Sequence, residues 1–144
     1  MAQPYRPGMT AGGYADCYQS AQVLTASRGR LVVLVFDLLL ATLRRARYAV
    51  EQKDEELRLS QLATAREAIN ELMAALDHSQ GELAGRLHAL YDFMLRSLLT
   101  VRGTDARADL AQLEAVARMA TELREAFDAV ADLPLPAPAA GVPA

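Results

Sequence analysis

LVVLVFDLLLATL, residues 31–43, decides the fold: eleven of its thirteen side chains are apolar, and only Asp37 and Thr42 interrupt them. A helix built on this run has no fully polar face, so its neighbours must cover it on all sides. In a bundle of four helices it should be the most enclosed element. The run also falls short of the roughly 18 consecutive apolar residues that suggest a membrane span. An unpaired carboxylate at Asp37 would cost several kcal/mol, roughly, if buried. Asp37 must therefore be paired, capped or exposed; pairing with an arginine of another helix is the first expectation and a ligand-facing role the second.

Working outward, Thr25-Ala26-Ser27 supplies an N-cap, and the run decays into Glu51-Gln52-Lys53-Asp54, which gives a first helix over about 27–52. A second carries Leu62, Ala65, Ile69, Leu72 and Leu76 on one seam and ends near His78. Ser79-Gln80-Gly81-Glu82 has capping-box spacing and opens a third helix, although Gly81 weakens its first turn. Leu83, Leu87, Leu90, Tyr91, Met94, Leu98 and Val101 keep one face there until Gly103, which suits the left-handed conformation past a helix end. The fourth helix opens at Thr104 or Asp105, runs on a seam from Leu110 through Leu123 and Phe127 to Val130, and stops at Pro134. Glu114 and Arg118 are spaced for an outside ion pair.

No proline falls between Met9 and Leu133, whereas four lie in Leu133–Ala144. The reading is an all-α, antiparallel four-helix bundle over residues 25–132. Residues 1–24 are expected to be a mobile, extended or short-helical segment that packs on it, and residues 133–144 a disordered Pro-rich tail. Residues 25–52 carry five basic and two acidic groups, 53–78 three and six, and 104–133 three and seven, so a cationic first helix would dock between anionic neighbours.

The whole chain, 144 residues at net charge −3 with pI near 5.4, is one domain without general attraction to nucleic acid or an anionic membrane. The N-terminus lacks the layout of a secretory signal, and a single cysteine allows no internal disulfide, so the default is a cytoplasmic protein with no membrane insertion. No phosphate-cradling glycine motif occurs. The residues three before His78 and His88 are Ala75 and Gly85, so the Glu-x-x-His spacing of di-iron bundles is missing, and neither metal nor cofactor is expected. Either histidine could serve as a phosphoacceptor; a plain surface role is the simpler reading. Cys17 has no basic neighbour to activate it and reads as a small hydrophobe. Arg44, Arg45 and Arg47 beside Tyr48 are too few for a nucleic-acid patch and are explained by acidic neighbours such as Glu51. That leaves apolar surface. Tyr14, Tyr18, Val23 and Leu24 lie in a stretch too short to fold alone, so they either lie in a furrow of the bundle or complete its core.

Several segments together resemble the FliS family of flagellar secretion chaperones. They are Tyr18-Gln19 with Val23, Thr25-Ala26-Ser27, Leu31-Val32 and Phe36-Asp37, then Leu76-Asp77, Gly81, Leu87, Leu90-Tyr91-Asp92, Met94, Arg96 and Leu98-Leu99, and finally Leu123-Arg124-Glu125-Ala126-Phe127. The likeness runs from about Tyr18 to Val130. Arg28 stands where the family usually has proline, Leu38 where it has glycine and Phe127 where tryptophan is common, changes that bear on groove shape and client identity. The resemblance implies a non-enzymatic cytosolic chaperone. It would bind the disordered C-terminal segment of flagellin, prevent premature polymerisation and deliver the subunit to the flagellar export apparatus, with export-gate components as further partners. Tyr14, Tyr18, Val23 and Leu24, together with Leu31, Leu34, Val35, Leu38, Leu90, Tyr91 and Met94, are the expected partner-binding residues, several of them core. An N-terminal segment that exchanges is compatible with a monomer and with a swapped homodimer. A helical-bundle histidine phosphotransfer module is the alternative reading.

Overall fold

A computed structural model describes residues 27–133. Cys17 and the four N-terminal candidates Tyr14, Tyr18, Val23 and Leu24 fall outside this range, as does the stretch 134–144. The helices are α1 (Arg28–Gln52), α2 (Glu55–Ala74), α3 (Glu82–Leu99) and α4 (Ala106–Val130), with a 3₁₀ turn at His78–Gln80. No strand occurs among the described residues.

Local chemistry fixes the ends. The Ser27 hydroxyl oxygen accepts from the Arg30 N–H at 3.1 Å and caps α1. Lys53, at φ 55°, turns the chain in the left-handed conformation, and its N–H closes α1 by reaching the carbonyls of Ala49 and Val50. Asp54 and Asp105 then cap α2 and α4 by accepting from the amides of Leu57 and Ala108. The expected capping box at Ser79 does not form. Asp77 takes both the amide and the hydroxyl of Ser79 and holds it in the 3₁₀ turn, so α3 starts from Gly81 without a side-chain cap. α2 ends at Ala74, short of the expected His78.

The short connections make each helix antiparallel to the next, and α1 packs chiefly on α2 and α4, while α3 closes the ring less tightly from the far corner. Phe36, fully buried, meets the Phe127 ring at 5.5 Å and the Tyr91 ring at 6.4 Å across the centre. Burial pushes the Tyr91 hydroxyl up to about 12. Asp37 is paired as its sequence position demands: Arg124 on α4 donates to it at 2.6 Å and is itself held above its usual range by that bond. Arg30 reaches Asp128 at 2.6 Å and Asp132 at 3.0 Å, which ties the start of α1 to the end of α4. Cationic α1 does lie between anionic α2 and α4, although Asp37–Arg124 runs against that sign rule. The Glu114–Arg118 and Arg47–Glu51 pairs form on the outside, at 3.9 and 3.7 Å.

α1 buries ten residues against six, five and four in the other helices, so it is the most enclosed element. The expectation of cover on every side fails at Leu34, which keeps 46% of its surface exposed. In a ring of four, each helix meets two neighbours and the centre, and its outward strip stays open.

Candidate functional site

The loop between α3 and α4 is rigidly built. Buried Asp109 accepts from the amides of Gly103 at 2.8 Å and Arg102 at 3.3 Å, and buried Arg58 donates to the Val101 carbonyl at 3.1 Å. A Cβ on Gly103, whose φ is +78°, would lie 2.7 Å from the Arg58 Nε, so the loop closes only over glycine. These bonds set the antiparallel register of α3 and α4. At 100° per residue, Leu83, Leu87, Leu90 and Phe93 share the α3 flank that faces α4. Met119, Leu123, Phe127 and Val130 share the opposing flank of α4, because Arg124 and Asp128 mark the side that faces α1. The two flanks run alongside each other in opposite directions.

These flanks do not close on each other. Leu87, Met119, Leu123 and Phe127 are half-buried and packed on the core, while Leu83, Leu90, Phe93 and Val130 stay 63%, 38%, 53% and 51% exposed. The first group forms the floor of an apolar groove and the second its lips. In the N-terminal half of α3 only Ala84 is buried, so this is where the bundle is least filled. Scattered apolar side chains on a surface need no explanation, but a continuous strip along two helices does. Its chemistry fits the apolar face of an amphipathic helix or an extended apolar segment.

The candidate residues divide. Leu31, Val35, Tyr91 and Met94 are buried core. Leu38 is half-buried beside exposed Leu34 on the outward strip of α1, and Leu90 alone of the seven lies on the α3–α4 groove. Leu83, Phe93, Leu123, Phe127 and Val130 were missing from the candidates. Their signal was present in α3, where Phe93-Met94-Leu95 and Leu98-Leu99 are contiguous apolar runs that one buried face cannot absorb. Leu59 and Leu99 are likewise exposed, on the flanks of α2 and α3 that face each other.

Other chemistry is sparse. The His78 and His88 rings lie 6.1 Å apart at the groove end of the bundle, and no cluster of three or more metal-ligating side chains exists among the described residues. An open hollow of about 570 Å³ at the opposite end is lined by Lys53, Asp54, Glu55, Arg58 and Arg102 among others, with the Arg58 guanidinium already bonded to Val101 and Glu55. No helix among the described residues is long and apolar enough to cross a membrane.

A family model described as flagellar protein FliS matches residues 10–134. The flagellar secretion chaperone FliS of Salmonella typhimurium is 35% identical over 123 residues, covering 82% of this chain and 89% of the relative. The flagellar secretion chaperones FliS of Bacillus subtilis and Escherichia coli are each 31% identical, over 110 and 116 residues; they cover 76% and 79% of this chain and 80% and 83% of the relatives.

Proposed function

The chain belongs to the FliS family, and from that premise we propose that it is a cytoplasmic export chaperone that holds the C-terminal segment of flagellin in the groove between α3 and α4. The observation that carries this reading is the pairing of an apolar floor, Leu87, Met119, Leu123 and Phe127, with exposed apolar lips that the bundle leaves without partners. A segment that orders on binding gives up roughly 2–5 kcal/mol of its gross interaction energy, so its receptor must offer a long, preformed apolar surface. Four exposed and four half-buried side chains along two helices supply such a surface. Held this way, the client's apolar face is unavailable for premature polymerisation. Binding and hand-over to the export apparatus, with contacts to export-gate components, require no bond-making step, so the chain acts without catalysis.

The N-terminal candidates join the mechanism as a cover. Tyr14, Tyr18, Val23 and Leu24 precede α1, whose outward strip at Leu34 and Leu38 is open, and this segment is proposed to lie on the bundle when the client is absent and to shift when it binds. Calorimetry with flagellin tests both parts. Phe93→Glu with Leu83→Glu puts charge on the lips without touching the core; the expected result is a 1:1 complex weakened by tenfold or more, with an unaltered far-UV spectrum. Unchanged affinity would overturn the groove assignment. Removal of residues 1–17 should alter affinity, and a truncated chain that binds identically removes the cover.

A further inference from the structure

We infer that the hollow between the α1–α2 turn and the α3–α4 loop is a carboxylate site, where the Arg58 guanidinium receives an acidic group of a bound peptide in place of Glu55. The site is independent of the function proposed above.

Arg58 carries the argument. The residue is only 6% exposed, yet its five N–H groups make two hydrogen bonds among the described residues, one of 3.1 Å to the Val101 carbonyl and a long one of 3.4 Å to Glu55. The remaining donors are not sealed in the core, since Gln61 Oε1 is the one fully buried side-chain polar atom without a partner among the described residues. They open onto the hollow of about 570 Å³ that Arg58 lines. A guanidinium fork fits a carboxylate through two parallel bonds, and Glu55 supplies that chemistry poorly. The Glu55 side chain is 78% exposed, so holding it against Arg58 spends side-chain entropy for little Coulomb gain, and a better-placed acid displaces it readily.

The surroundings favour an incoming acid. Lys53 and Arg102 also line the hollow, and neither forms an ion pair among the described residues. Of the two acids there, Asp54 is committed to the Leu57 amide at the start of α2, and Glu55 is the group displaced. Asp109 does not line the hollow; its carboxylate accepts from the loop amides of Arg102 and Gly103. With Glu55 swung out, three cations face one committed acid. The volume is many times the roughly 30 Å³ share of one water, and Ala49, Val50 and Ala106 give the hollow an apolar side, so it suits a carboxylate carried on a peptide better than a bare anion.

Nitrogen-15 NMR of the full chain at constant ionic strength tests this with two probes: acetyl-Glu-Glu-Glu-amide, which offers side-chain carboxylates alone, and acetyl-Gly-Gly-Gly, which offers only a chain end. The expected result is a saturable shift of the Arg58 Nε–Hε and Gly103 N–H signals with at least one of them, and the peptide that gives it identifies the source of the carboxylate. Glu55→Gln frees the fork and should tighten that peptide about threefold, a gain that a purely structural Arg58 would not give. Lys53→Gly with Arg102→Ala removes the flanking charges, at a φ of 55° that glycine accepts, and should weaken binding about fivefold with an unaltered far-UV spectrum. Shifts that do not saturate, or that inorganic phosphate reproduces at the same concentration, reduce the hollow to a counter-ion surface and overturn the inference. A Glu55→Gln chain that binds no tighter overturns it as well.

Discussion

Gly29 and Gly85 offer one substitution with opposite outcomes. Both sit inside helices, where alanine is favoured over glycine by roughly 0.5–1 kcal/mol because it loses less backbone freedom on folding. Around Gly85 a new Cβ would meet nothing within 4 Å, so Gly85→Ala should collect that gain in full. Around Gly29 the same atom would lie 2.5 Å from the Ala131 carbonyl oxygen and 2.9 Å from its Cα, where ordinary contact begins near 3.4 Å. The start of α1 and the end of α4 would have to part by roughly 0.9 Å, and both obstacles are backbone, which cannot rotate away. Overpacking of this kind costs about 1–3 kcal/mol. Parting the helices also lengthens the 3.2 Å bond from the Ser27 hydroxyl to the Ala131 carbonyl, worth about 1 kcal/mol. Gly29 lies at the second helical position, where the propensity gain is smallest, so Gly29→Ala should lose about 1–2 kcal/mol net. Urea unfolding followed by circular dichroism reads both variants, and the melting temperatures should move by about 3–5 °C per kcal/mol in opposite directions. If Gly29→Ala gains as much as Gly85→Ala, the close approach of α1 and α4 is not present in solution and the reasoning fails.

Tyr91 predicts an alkaline transition. Its hydroxyl is raised from 10.0 to about 12 by burial, so the neutral form is favoured in the fold; this stability is complete below pH 10 and declines as pH rises toward about 12, because the unfolded chain ionises first. The difference is worth roughly 2–3 kcal/mol, and the urea midpoint of Tyr91→Phe should be distinctly flatter than that of the parent across that window. Asp109→Ala strands the amides of Arg102 and Gly103 and should cost about 1–3 kcal/mol, with faster hydrogen exchange confined at first to the α3–α4 loop; an unperturbed loop would show that Asp109 does not pin it.

The element order and the starts of α1 and α4 were legible because their determinants are local: a serine and an aspartate cap, a charged break at residues 51–54, and Gly103 where φ is positive. The Asp37 pairing was legible for another reason, since an acid in an apolar run has few affordable fates. Ser79 misled because its neighbour decided its role. Asp77, two residues earlier, accepts from both the amide and the hydroxyl of Ser79 and holds it in a 3₁₀ turn instead of at a helix start. The site was the least legible part. Leu90 and Tyr91 are adjacent in sequence and were both candidates, yet one faces the groove and the other is 1% exposed in the core. Periodicity assigns side chains to faces of a helix, but it does not say where a neighbouring helix stops covering a face, and that boundary depends on register set by Asp109 and Arg58 far along the bundle.

That register accounts for how one small bundle can be firm and receptive at once. At one end, the Lys53 turn joins α1 to α2, and the buried Arg58 and Asp109 tie α2 and α4 to the backbone of the α3–α4 loop. At the other, α1 and α4 are latched by Ser27, Arg30 and the close approach at Gly29, so the core around Phe36 stays closed on that side. Among the described residues the α3 side of the latched end buries little, Ala84 alone in the first half of the helix, and α3 starts there from a glycine without a side-chain cap. Opening or filling the groove therefore perturbs Leu83, Leu87 and Leu90 without breaking a buried hydrogen bond. A guest that inserts apolar side chains between α3 and α4 adds to the existing core instead of competing with it, so client binding should raise the stability of the bundle with the logarithm of its affinity. If Leu83→Glu with Phe93→Glu leaves that rise undiminished, the guest sits somewhere other than this groove.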